Sequence, residues 1–137
     1  MLNQEKAYRE QFSKLKALHL NLNSPMLDNC DYTVTLLEEV IATRKCKFQM
    51  EEGAQLHKTF EKEGFLNALS DIAIDTWLLD YQAPPLEREG NFRWSLVLDY
   101  EEELPSLVYV GIDRVPKDFE ALLTLLDLEQ WKGIIAL

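Results

Sequence analysis

Two histidines, His19 and His57, and two cysteines, Cys30 and Cys46, are the residues best equipped for nucleophilic or metal chemistry. Any histidine-based mechanism must use one of the two, and a thiol nucleophile needs a base within hydrogen-bond reach. No local signature joins either cysteine to either histidine. The cysteines lie sixteen residues apart, without Cys-x-x-Cys or His-x-x-x-His spacing, so a zinc site would have to be assembled from scattered residues. Asp75, Asp80 and Asp99 would suit a hard cation if their elements met, but the Asp-x-Asp-x-Asp-Gly loop of calcium sites is absent. The five glycines are scattered singly, which excludes the usual phosphate-cradling loops, and there is no Gly-x-Ser-x-Gly elbow. These patterns favour a protein that is not an enzyme and implies no cofactor and no metal.

The acids are more informative as charge than as catalysts. Residues 71–129 hold fourteen carboxylates against four cations, and the difference equals the net charge of −10 of the whole chain. The same segment carries Trp77 and Trp94, so acid and aromatic residues share one folded unit. Glu101, Glu102 and Glu103 are consecutive like charges whose mutual repulsion keeps them in solvent. With Asp99, Asp113, Trp77 and Tyr81 they form the expected contact set for a cationic partner: charge steers the encounter and aromatics anchor it.

The elements that must position these residues are read from periodicity. Tyr8, Phe12, Leu15, Leu18 and Leu22 predict an amphipathic helix from about Asn3, although Leu18 to Asn23 alternates strictly and suits a short strand with three leucines inward equally well. Residues 23–31 read as a loop. Asp31 caps an expected helix over 32–45, with Val34, Leu37, Val40 and Ile41 on one face, and a third helix fits 52–63 until Gly64 interrupts it. Residues 65–81 carry both a helical and an alternating stripe, and their length favours helix. Trp94, Leu96, Leu98 and Tyr100 alternate as a strand, Leu107 to Ile112 reads as a second, and the short acidic connection makes them an antiparallel hairpin. Pro116 then opens a helix that buries Phe119, Leu122, Leu123 and Leu126, and the apolar tail 131–137 is expected to dock on the core.

At 137 residues with 47% hydrophobic and 28% charged residues, the chain suits one ordinary folded domain. The expected fold class is α+β over residues 1–137: N-terminal helices packed on a small antiparallel sheet, with a closing C-terminal helix. No apolar run is long enough to span a membrane, and two cysteines are too few for a disulfide scaffold. A cytoplasmic protein with reduced thiols is expected, a Cys30–Cys46 bridge being the alternative that export would allow. Acidity repels phosphate backbones and anionic lipid, so direct nucleic-acid or membrane binding is disfavoured.

Three functions compete. The first is a small acidic binding protein of the immunity-protein, antitoxin or anti-defence inhibitor type, whose basic partner would be a nuclease or another nucleic-acid enzyme. The second is an adaptor or homo-oligomerising subunit that associates through its apolar tail and first helix. The third is an enzyme using a carboxylate-bound metal.

Overall fold

A computed structural model describes residues 14–25, 27–46, 55–74, 77–82, 92–101 and 105–135. Seven strands form one mixed sheet: β1 (Leu15–Ser24), β2 (Leu27–Leu36), β3 (Val40–Cys46), β4 (Gln55–Phe60), β5 (Asp80–Gln82), β6 (Arg93–Tyr100) and β7 (Leu107–Ile112). Their order is β4-β3-β2-β1-β6-β7-β5, antiparallel throughout except for the parallel β5–β7 pair. Helices α1 (Lys62–Ile72) and α2 (Phe119–Leu125), a 3₁₀ turn (Glu129–Trp131) and a last helical turn α3 (Lys132–Ile135) complete the elements of the described residues.

This corrects the expected class: among the described residues the seven-stranded sheet is the body of the protein, and the expected N-terminal helices over 32–45 and 55–60 are strands. The physical reason lies in side-chain period and branching. Leu18, Leu20 and Leu22 are fully buried while the residues between them are not, so period two prevails over the three-and-four stripe. In the expected helix 32–45, the β-branched Thr33, Val34, Thr35, Val40, Ile41 and Thr43 prefer extended backbone. Leu37 to Glu39 turn the chain, and Tyr32, Val34 and Leu36 meet Arg44, Ala42 and Val40 across the ladder. Asp31 is mid-strand rather than a cap, and the supposed loop 23–31 is a tight reversal, with Ser24 opposite Leu27. Residues 1–13, 47–54, 83–91 and 102–104 lie outside the described residues, and with them the start of the first expected helix, the start of the third and the acidic tip.

The third expected helix gives way to a strand over 55–60, and the helix expected over 65–81 forms only as far as Ile72. Residues 55–60 are strand β4, and α1 starts after Glu61, whose carboxylate accepts hydrogen bonds from the Glu63 and Gly64 N–H groups at 3.3 and 2.7 Å. Gly64 therefore sits inside the first turn instead of ending a helix. Helix α1 stops at Ala73, which takes a left-handed conformation, φ 57°. Helix α2 begins three residues after Pro116, with Asp118 at φ 67° ahead of it. The hairpin β6–β7 is as expected, with Trp94 opposite Gly111 and Leu96 opposite Tyr109.

The described helices α1 and α2 lie on one face of the sheet. Phe65, Leu69 and Ile72 of α1 and Phe119, Leu122 and Leu123 of α2 join the inward strand residues in a single core. At roughly 1.5–3 kcal/mol for each large side chain removed from water, this layer supplies the main driving force for folding. Phe119 packs against Trp94, Trp77 and Phe92, with ring centroids 4.8 to 6.2 Å apart. Trp131 is 1% exposed and donates Nε1–H to the Tyr32 hydroxyl at 3.3 Å, so the chain's end docks as expected at that residue.

Cys30 and Cys46 are register partners across β2 and β3, and both face the core. They form a disulfide, with Cα atoms 4.0 Å apart, in place of the expected reduced thiols. No described helix is long and apolar enough to cross a membrane.

Candidate interaction surfaces

The alternation that buries one strand face leaves the other to functional residues. His19 on β1 and Asp99 on β6 both point away from the helices, and the β1–β6 register, which pairs Ala17 with Asp99 and His19 with Val97, sets them diagonally adjacent. His19 Nε2 lies 2.9 Å from Asp99 Oδ2. The Ser106 hydroxyl donates to the other carboxylate oxygen, and Thr33 Oγ1 lies 3.4 Å from His19 Nδ1. The Ser106 bond, and then the hydrogen bond and charge of His19, hold the Asp99 carboxyl below its ordinary pKa despite some desolvation.

A threonine, a histidine and an aspartate in line have the composition of an acyl-transfer triad, but the setting does not support that chemistry. The Thr33–His19 contact is at the long limit for a hydrogen bond. Both residues are mid-strand with ladders on either side, so their amides are committed to the sheet and not gathered into an oxyanion hole. The arrangement can fix the imidazole on the open face of the sheet.

The other expected contact residues scatter. Trp77 is buried, edge-on to Trp94 and Tyr109, and acts as core. Tyr81 is half-buried beside Trp94, and its hydroxyl accepts the Leu78 N–H at 2.8 Å. Asp113, at φ 56°, accepts the Phe92 N–H on Oδ1 at 3.1 Å and returns its own N–H to the Phe92 carbonyl at 2.8 Å, closing the base of the hairpin. Glu101 is exposed, with its N–H bonded to the Lys14 carbonyl. Glu102 and Glu103 lie outside the described residues. Of the candidate metal ligands, Asp80 and Asp99 are separated by β7, Asp75 is not described, and no metal-competent cluster occurs among the described residues.

Sequence reasoning passed over a second acidic surface. Across residues 61–72 and 117–132, which form the helical layer, Glu61, Glu63, Asp71, Asp118, Glu120, Asp127 and Glu129 are exposed, against Lys62, Lys117 and Lys132. Lys132 is partly neutralised by Glu129 at 3.2 Å. Beside α2 an open depression of about 520 Å³ is lined by Val115, Pro116, Asp118, Glu120, Thr124 and Lys132. Buried leucines at helical spacing announced α2, but that its acids share a surface with those of α1 follows only from the packing of the two helices on one sheet face.

His57 has a structural post. Its ring sits edge-on to Tyr32, and its Nε2 is 2.9 Å from the Leu126 carbonyl, tying the edge strand β4 to the end of α2. No protein-family model matches the chain, and no curated protein matches it.

Proposed function

We propose that this chain is a non-enzymatic binding protein whose acidic helical layer engages a basic protein. The observation that carries the reading is the excess of seven exposed acids over three lysines on that layer, with a depression between Asp118, Glu120 and Lys132 that suits a cationic side chain. Nucleases and other nucleic-acid enzymes have cationic clefts of the complementary sign, which supports an inhibitor of the immunity-protein or antitoxin kind. The hairpin end adds the exposed acid Glu101 but has its aromatics turned inward.

For the compartment, composition points to the cytoplasm and the Cys30–Cys46 bridge to an oxidising environment. We take the bridge as the stronger indication, because cytosolic thiol pools keep most such pairs reduced. Of the tail on which the adaptor reading rests, Trp131 is buried, and the side chains of 134–137 lie outside the described ones.

The test is capture of partners from host extract on the immobilised protein at low and at high salt. A basic protein retained at low salt, released at high salt and lost with the Asp118→Lys, Glu120→Lys double variant is the expected result. Retention indifferent to both salt and charge reversal would remove the proposal.

A further inference from the structure

The sheet face opposite the helices carries one continuous row of side chains, Leu56–Thr43–Thr33–His19–Val97–Val108, each residue the register partner of the next across six neighbouring strands. The row contains no Asp, Glu, Lys or Arg, and its two ends are exposed aliphatics: Leu56 at 68% and Val108 at 48%. Flanking charges come in compensating sign, with Asp31 opposite Lys45 and with Arg93 and Asp99 on the same side of β6. Among the described residues no helix covers this face.

We infer that this face is a homodimer interface and that its occupant is a second copy of the chain, packed sheet to sheet. Three arguments converge on that occupant. At a net charge of −10, two copies repel one another, most strongly through their helical layers, so they associate best through the near-neutral face. The area suffices: six strands about 4.8 Å apart and about seven residues long present roughly 650 Å² in projection, and more once corrugated, near the ~800 Å² per partner of a stable interface. The row is also self-complementary. A two-fold axis along the strands, between β2 and β1, sets Leu56 against Val108 of the second copy, Thr43 against Val97, and Thr33 against His19. The Leu56–Val108 contact is then made twice, as an isologous interface requires, and aligned packing of two twisted sheets accommodates the strands. The acidic layers face outward, so the dimer presents two binding surfaces. The inference stands independently of what those surfaces bind.

Sedimentation velocity on the full chain over a dilution series tests it. A dimer that dissociates in the micromolar range is expected, and a monomer up to about 200 µM, where even a weak interface would be occupied, overturns the inference. Leu56→Glu and Val108→Lys should each give a monomer whose melting temperature matches that of the wild-type chain at dilutions where it too is monomeric, since both side chains are exposed. Combining them places Glu against Lys at both ends and should restore the dimer; persistence of the dimer in the single variants, or of the monomer in the double variant, refutes the arrangement. Acylation of His19 by diethylpyrocarbonate supplies a readout that needs no mutation. Protection should vanish on dilution, whereas protection that persists in the monomer means that another segment or partner covers the face.

Discussion

Trp94 of β6 and Gly111 of β7 are register partners, and the Trp94 indole fills the space in which a side chain at Gly111 would stand. The indole Nε1–H reaches past the glycine to the Arg114 carbonyl, 2.8 Å away. One glycine thus lets a central aromatic lie flat on the sheet while Phe119, Trp77 and Tyr81 surround it.

Gly111→Ala should therefore destabilise the fold by about 1–3 kcal/mol, the usual range for overpacking a filled core. Its Cβ would overlap the indole and approach the Arg114 carbonyl at 2.7 Å. Urea unfolding followed by tryptophan fluorescence checks this, and an unchanged midpoint would show that Trp94 has room to move.

Alkaline pH should loosen the core through Tyr100. Burial, helped by neighbouring Tyr109, pushes its hydroxyl up to about 12, against about 10 for a free phenol. Below pH 10 both folded and unfolded chains keep this proton. Between about 10 and 12 only the folded chain does, so the stability linked to Tyr100 is lost as pH rises through that window. Tyr100→Phe should show a shallower fall of melting temperature over the same range; identical falls would place the titrating group elsewhere.

Asp99 acts at the acid end with the opposite sign. Its carboxyl is held below the ordinary range, first by the Ser106 hydroxyl and then by His19, so its contribution is present above the ordinary carboxylate pKa and lost as pH falls through the lowered value. Because His19 is 44% and Asp99 27% exposed, solvent screening limits the effect on stability to less than about 1 kcal/mol. Ser106→Ala should raise the Asp99 pKa in a carboxyl NMR titration by more than His19→Gln does, and the reverse ranking would contradict the assignment of cause.

The disulfide closes a separation of 16 residues within a hairpin that the β2–β3 ladder already holds. Reduction, or Cys30→Ser with Cys46→Ser, should cost roughly 2–3 kcal/mol, the entropy of a loop of this size. Alkylation and intact-mass analysis of unreduced protein should find no free thiol. Two labelled cysteines in freshly isolated protein would instead favour the cytoplasmic reading.

Charge reversal should separate the two acidic surfaces. Asp118→Lys with Glu120→Lys should weaken capture of the basic partner at least tenfold, about 1.4 kcal/mol. Glu101→Lys should weaken it less, since its flanking aromatics are turned into the core. Glu101→Lys should move the melting temperature by no more than about 2 °C, whereas the double variant, which reverses charge at the N-terminus of α2 and replaces Asp118 at φ 67°, should lower it by about 2–5 °C without unfolding the protein. A larger effect from Glu101 would return the contact surface to the hairpin.

Local pattern by itself determined the β6–β7 hairpin and the buried leucines of α2. In both, a single period repeats without competitor, and neighbours in sequence set the outcome. It also determined the excess of acid, which is composition and needs no fold. Residues 15–46 defeated local reading because leucine and valine satisfied two periods at once. There the tie was broken by neighbouring strands, since an extended segment gains its hydrogen bonds only from partners distant in sequence. The tertiary structure alone decided that β2 and β3 bring Cys30 to Cys46, that β1 beside β6 brings His19 to Asp99 across eighty residues, and that α1 and α2 merge their acids into one surface. Each is a consequence of strand order and of the helices sharing one sheet face, and the burial of apolar surface that selects that order is a property of the whole chain.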